Sequence, residues 1–284
     1  MALVAVVLWS ATPLATKVAV VEIDPVATAT LRTMISALVA LPFLFFGDLR
    51  LPRNAGARRY LVVSSLSGFV VFPLLLTIGV QRTSVGHAAL ILGTLPVFTG
   101  LIAALLEHRM PGRNWWAGCA LALAGTAILT GTRTGPDTLI EATAVGDLLV
   151  IASAVAAATG YVTGTLAAHE TGSWTITLWG IVIAGLVLLP LVPFVVSPTA
   201  LAGVGARAWG GVLYLAIFSS IVGYAAWYWA LGHGGIGRAG VTQFLQPLVG
   251  VLLAMAVLGE ALTWPMAVAA AANLGGVAWA RRPL

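Results

Sequence analysis

Two cations, Lys17 and Arg32, stand inside stretches that are otherwise apolar. A charge deep in hydrocarbon costs about 2.5–3.5 kcal/mol on insertion scales. Both fall toward the outer ends of their apolar stretches, so either can escape that cost by snorkelling to the interface or by pairing with Glu22 or Asp24. The functional alternative is that both line an outer vestibule and meet substrate carboxylates. A second polar locus is Gln243 and Gln246 beside Pro247. A proline inside a helix removes a backbone hydrogen bond and frees the carbonyl four residues earlier, here that of Gln243. Two amides and an open carbonyl would then hold a zwitterion without formal charge, unless the glutamines only repair the break. Pro13, Pro73 and Pro96 predict equivalent breaks inside other helices. Trp9, Phe72, Tyr161 and Tyr224 fall near the centres of apolar stretches, where a pocket would need them. Trp115, Trp116, Trp174, Trp209 and Trp264 fall at the ends, where interfacial belts occur.

Other chemistries lack their residues. The acids Glu22, Asp24, Asp48, Glu107, Asp137, Glu141, Asp147, Glu170 and Glu260 all map to loops or helix ends. Ion relays generally rest on intramembrane acids, so movement driven by a substrate gradient, without tight ion coupling, is expected. His87, His108, His169 and His233 also lie at ends or in loops, and no H-E-x-x-H occurs, so neither a metal nor another cofactor is expected. No Ser/His pair or aspartate pair suits intramembrane hydrolysis, so the chain reads as a non-enzyme. The single cysteine, Cys119, reads as core packing. The net charge of +5 comes from basic residues scattered through short loops, without the basic patch that nucleic acid requires.

The elements that must position these residues are membrane helices. Of 284 residues, 60% are hydrophobic and 8% charged, and the mean hydropathy is +1.02, more than a soluble core absorbs. A spanning helix needs about 20 mostly apolar residues. Such stretches predict spans at 2–20, 26–46, 60–79, 87–106 and 115–131, then at 145–167, 174–196, 208–230, 239–258 and 263–280. The first of them lacks a positive n-region and a clean cleavage site, and reads as a retained helix rather than a signal peptide. The fold class expected is therefore an all-α membrane protein with ten transmembrane helices.

Shifting the chain by 151 residues lays Pro96 on Pro247, Gly86 on Gly237, Ala88 on Ala239 and Gly125 on Gly276. This self-similarity predicts a duplication, with one repeat at 1–131 and the other at 145–284. Five helices per repeat is odd, so the second must run through the bilayer opposite to the first, an inverted repeat of the kind associated with alternating access. With the N-terminus inside, Arg50, Arg53, Arg58, Arg59, Arg109, Arg113, Arg238, Arg281 and Arg282 fall in cytoplasmic connections. Only Arg82, Arg133 and Arg207 fall outside. The positive-inside rule then puts both termini in the cytoplasm. Ala152, Ala156, Gly160 and Gly164, and again Ala267, Ala271 and Gly275, have the small-xxx-small spacing of close helix packing.

Several of these features resemble one family. Leu8-Trp9-Ser10 with Lys17 eight residues after Trp9, the Leu31-Arg32 pair, and Gln246-Pro247 leading to Leu258-Gly259-Glu260 are similar to the drug/metabolite transporter superfamily, in its EamA branch. The first-half copy departs from the pattern, with Glu107 two positions early and Arg109 in the register of Glu260. Within the branch the sequence most resembles the YddG-type amino-acid exporters. The resemblance implies a ten-helix carrier that exports neutral and aromatic amino acids and some toxic organic compounds; the expected setting is the bacterial inner membrane, with related small metabolites among the substrates and a monomer as the working unit. A multidrug or nucleotide-sugar carrier and a non-transporting structural membrane protein are the alternatives.

The four arginines between Gly47 and Tyr60 dominate the orientation. A reporter fused after Arg53 is expected to give the cytoplasmic signature; a periplasmic signal would overturn the orientation and the inverted repeat drawn from it.

Overall fold

The computed structural model describes residues 1–47, 49–107, 112–131, 143–230, 233, 243 and 245–280. Among the sequence-stretch residues discussed above, Asp48, His108, Arg109, Arg133, Asp137, Glu141, Gly237, Arg238, Ala239, Arg281 and Arg282 lie outside the described residues. Among those described, the chain is helical, without a strand.

Seven helical runs are long and apolar enough to cross a membrane: Ala2–Val20, Pro25–Phe46, Ala55–Gln81, Val85–Leu106, Ala144–Thr171, Ser173–Val195 and Ala206–Ala230. In chain order the helices are α1 (Ala2–Ser10), α2 (Thr12–Val20), α3 (Pro25–Phe46), α4 (Ala55–Leu66), α5 (Phe72–Gln81), α6 (Val85–Leu92), α7 (Leu95–Glu107) and α8 (Arg113–Gly131). There follow α9 (Ala144–Thr171), α10 (Ser173–Leu188), α11 (Val192–Val195), α12 (Pro198–Leu201) and α13 (Ala206–Leu213). The last are α14 (224–230), α15 (Leu245–Leu258) and α16 (Trp264–Ala280). Thus α8, α15 and α16 occupy the fifth, ninth and tenth predicted stretches.

Helix starts follow local chemistry. Asp24 accepts from the amides of Val26 and Ala27 at 2.8 and 3.0 Å and so caps α3. Asn54, Ser84 and Thr143 cap α4, α6 and α9 in the same way.

Long helices are broken where tertiary partners take over backbone groups. Ala11 separates α1 from α2, and Gly93-Thr94 separates α6 from α7. Two π-helical segments, Ser67–Val71 and Tyr214–Gly223, join α4 to α5 and α13 to α14. Pro13, Pro73 and Pro96 lie inside the continuous runs Ala2–Val20, Ala55–Gln81 and Val85–Leu106, each as the second residue after the point where the regular helix is interrupted, and Pro247 is in the first turn of α15. The N–H missing at Pro73 leaves preceding carbonyls without a helical donor, and those of Phe69 and Gly68 accept from Thr33 and Tyr224 instead. The carbonyl of Gln243, expected to stand open, instead accepts from the amide of Gln246 at 3.1 Å. Pro42 sits inside α3 as well.

The core centres on α9, which packs against α4, α5, α6, α7 and α10. Its small-residue stripe works in part. A Cβ on Gly160 would stand 2.9 Å from the Gly68 Cα, so the π segment lies directly on α9 there. Ala152 of the same stripe is exposed. The second stripe is displaced: Ala267, Ala271 and Gly275 are exposed. The packed face of α16 carries Ala269, Ala272 and Gly276 instead. In a helix this rich in alanine, small residues recur on every face, so their spacing alone cannot choose one.

On that face, Gly125 of α8 approaches Ala269 and Ala272, while Gly276 approaches Gly118 and Ala122. The Gly125–Ala269 and Gly276–Gly118 contacts exchange when the chain is shifted by 151 residues. Cys119 is buried with Val97, Ala122 and Trp115. Of the expected belt, Trp116, Trp174 and Trp264 are exposed, while Trp115 and Trp209 are half-buried.

A side chain on Gly276 would press on the Gly118 carbonyl and the Ala122 amide, backbone atoms that cannot rotate away. Gly276→Val should therefore lower the thermal midpoint, by overpacking of about 1–3 kcal/mol. Gly275→Ala should leave it nearly unchanged, since its only neighbour is a Leu121 methyl at 3.8 Å. Equal midpoints for the two variants in detergent would contradict the packing described.

Candidate functional site

Trp9 is the hub of a buried aromatic cluster. It stacks on Tyr161 of α9 at 5.0 Å and 7°, and meets Tyr224 edge-on at 5.3 Å and Trp227 at 5.5 Å. Such geometries suit ring quadrupoles. Its indole N–H donates to the Ser219 carbonyl at 3.0 Å, and the Tyr224 hydroxyl donates to the Gly68 carbonyl at 3.0 Å. Both acceptors belong to π segments, whose irregular backbone presents carbonyls to other helices. Thr33 uses Phe69 and Ser36 uses Ala216 in the same manner, at 3.0 and 2.8 Å.

Beside this cluster lies a cleft of about 10 Å3, room for a single water. Trp9, Phe72, Tyr161 and Gln246 line it, together with Thr12, Leu92, Leu95 and Ser219. Four expected site residues from four separate helices thus meet at one place. Tyr224 joins through its ring contacts. Thr12, Ser219, Leu92 and Leu95 were not anticipated; the hydroxyl pair Ser219-Ser220 in an apolar stretch was the available signal. Gln243 is 2% exposed and its amide nitrogen has no partner among the described residues. It is not among the residues lining the cleft.

Arg32 does not snorkel. It is 1% exposed. Its Nε donates to Ser220 Oγ at 2.9 Å, its Nη2 donates to Ser219 Oγ at 3.2 Å, and its Cζ sits 5.7 Å from the Phe72 ring centre. Nη1 has no partner among the described residues. Lys17 is buried too, and donates to the carbonyls of Val80 and Thr83 at 2.8 and 2.7 Å. Neither cation pairs with Glu22, which accepts from the Gly205 amide, or with Asp24, which is committed to its cap. The acids nearest in sequence have backbone amides to satisfy, and these outcompete a distant side chain.

Around Lys17 the turn between α5 and α6 is clamped from several elements. Thr83 donates to Asp147 Oδ1 at 2.5 Å, and His87 Nδ1 lies 3.2 Å from Asp147 Oδ2. Thr143 reaches the Arg82 carbonyl through its amide and its hydroxyl. Glu260 accepts from the amides of Val85 and Gly86 at 2.8 and 2.7 Å, placing a carboxylate on the N-terminus of α6. Asp147 is at a helix end, as expected, yet only 2% exposed. At the opposite end, by Met1, an open cleft of about 790 Å3 lies between the α9–α10 junction and α14. Among the described residues, no three His, Cys, Asp or Glu side chains converge to hold a metal.

With this geometry in view, comparison with known proteins is informative. The model of the EamA-like transporter family matches residues 1–131 and 144–282. The uncharacterized transporter YdeK of Bacillus subtilis (strain 168) is 30% identical, across 98% of this chain and 95% of its own length. A probable amino-acid metabolite efflux pump of Escherichia coli (strain K12) is 27% identical, across 93% of this chain and 87% of its own. A protein of known crystal structure shares the fold with a TM-score of 0.69 at 24% identity, across 99% of this chain and 94% of the other. The apolar helices and the matched family make the protein a multi-pass membrane transporter, and the chain belongs to the EamA-like transporter family.

Proposed function

We propose that the protein exports amino acids, neutral and aromatic, and related small metabolites across the bacterial inner membrane by alternating access. Its ten spans form two inverted five-helix repeats, 1–131 and 145–284, with both termini cytoplasmic and the monomer as the working unit. The observation that carries this reading is the convergence of Trp9, Phe72, Tyr161 and Gln246 with Thr12 and Ser219 on one buried cleft. Rings, hydroxyls and a neutral amide suit a small zwitterion with an apolar side chain. The exchange of glycine contacts between α8 and α16 supports the duplication. The Escherichia coli relative, named as a probable amino-acid metabolite efflux pump, supports the substrate class, and so does the resemblance to the YddG-type exporters.

Ligand pockets commonly run to about 300–1,000 Å3, so a cleft of about 10 Å3 is a closed conformation of the site. In the proposed orientation the clamp at Lys17, Asp147 and Glu260 is the outer gate, shut, and the cleft beside Met1 faces the cytoplasm. No described acid lines the cleft, and Asp147 and Glu260 are held in the clamp, which supports transport driven by the substrate gradient.

In proteoliposomes, a gradient of aromatic amino acid alone should drive uptake without an imposed proton or sodium gradient. Gln246→Leu should weaken apparent substrate binding about tenfold to a hundredfold, the worth of one hydrogen bond to a charged group. It should change thermal stability less. Normal transport by a destabilised Gln246→Leu protein would remove that residue from the site.

Glu260→Ala removes two charge-assisted bonds from the outer clamp. In a Cys119→Ala background it should speed labelling of Thr12→Cys by an impermeant external thiol reagent, roughly tenfold or more. An unchanged labelling rate would show that Glu260 holds no gate.

A further inference from the structure

Arg32 is a buried ion whose partners are all neutral. Ser219 and Ser220 occupy two of its nitrogens, the Phe72 ring faces its carbon, and Nη1 is left unpartnered. Among the described residues no carboxylate stands within ion-pair distance. A desolvated guanidinium without a counter-ion is costly, and a chain that needed only hydrogen bonds to two serines could have used a neutral amide.

The charge stands directly behind the cleft. Phe72 and Ser219, which contact Arg32, both line the cleft. Ser219 Oγ is in turn 3.0 Å from Thr12 Oγ1, another lining residue. Lys17 differs: the carbonyls of Val80 and Thr83 hold its ammonium, and the carboxylate of Glu260 sits on the amides of Val85 and Gly86 just beyond that turn.

We propose that Arg32 is the receptor for a carboxylate on the transported molecule, which supplies the counter-ion that the chain lacks. The planar fork of donors that Nη1 and Nη2 form matches two carboxylate oxygens. When the helices part, Ser219 and Thr12 are the hydroxyls through which that carboxylate exchanges its water for the guanidinium. The substrate class is thereby narrowed to small apolar carboxylates; the ammonium group is not what Arg32 selects. This inference deepens the amino-acid reading and takes the location of its site from it.

The test uses three compounds with one ring: phenylalanine, phenyllactate, which lacks the ammonium, and phenylalaninamide, which lacks the carboxylate. Uptake into proteoliposomes is measured for the wild type, Arg32→Lys and Arg32→Gln. The wild type should carry both carboxylates at least about tenfold better than the amide. Arg32→Gln should lose that preference by slowing the carboxylates and sparing the amide, with Arg32→Lys between.

Uptake of phenyllactate but not phenylalanine would sink the amino-acid reading and leave the receptor standing. Equal uptake of phenylalanine and its amide would do the reverse. Transport of neither carboxylate, or an Arg32→Gln variant that slows all compounds alike, would overturn the receptor. Should Arg32→Gln fail to fold, the wild-type ranking and the thermal stabilisation of wild-type protein by phenyllactate, but not by the amide, decide the matter.

Discussion

A backbone carbonyl or amide buried in hydrocarbon has no water to turn to, so every departure from a regular helix needs a partner from elsewhere in the chain. The molecule is built around such departures. The π segments Ser67–Val71 and Tyr214–Gly223 present carbonyls at Gly68, Phe69, Ala216 and Ser219, and side chains from other helices satisfy each of them. Those bonds fix the rings of Trp9 and Tyr224, and the Trp9 ring, with Tyr224 packed against it, forms part of the wall of the cleft. The site is therefore a by-product of backbone repair: where helices deviate, polar side chains must gather, and where they gather a polar ligand can be read.

The same constraint explains which expectations from sequence were sound. Apolar runs mark the helices because about twenty residues must be nearly free of charge. That Trp9, Phe72, Tyr161 and Gln246 are site candidates was legible because bulky rings and an amide are conspicuous in the middle of apolar stretches, and the structure brings the four to one cleft. The π segments were not legible. Nothing in Ser67–Val71 or Tyr214–Gly223 differs in composition from an ordinary helix, and the extra residue is accommodated only because Thr33, Ser36, Trp9 and Tyr224 arrive from a distance.

Charge was harder still. Hydropathy counts Lys17 and Arg32 alike, as single interruptions near the ends of stretches. The structure separates them by what surrounds each head group: carbonyls of a turn for Lys17, serine hydroxyls and a ring for Arg32. Prolines were legible more directly: Pro13, Pro73 and Pro96 each coincide with an interruption of the regular helix inside the runs Ala2–Val20, Ala55–Gln81 and Val85–Leu106. What residue type could not supply was the partner of a freed carbonyl, which for that of Phe69, ahead of Pro73, is Thr33 of a distant helix.

The helix α6 belongs to the first half of the chain by sequence, yet residues near the C-terminus hold it at both ends. Glu260 grips its first amides, Asn273 donates to the Leu90 carbonyl in its last turn at 3.0 Å, and Ala89 and Gly93 lie against Gly250 and Pro247. Beyond Gly93-Thr94, α7 packs instead along α9. Any motion that parts the two halves must either tear these four attachments or carry α6 away with α15 and α16, swinging at Gly93-Thr94. Such a motion would divide the bodies differently from the two halves of the sequence, with one half-helix lent across the boundary as the moving part's handle on the stationary one.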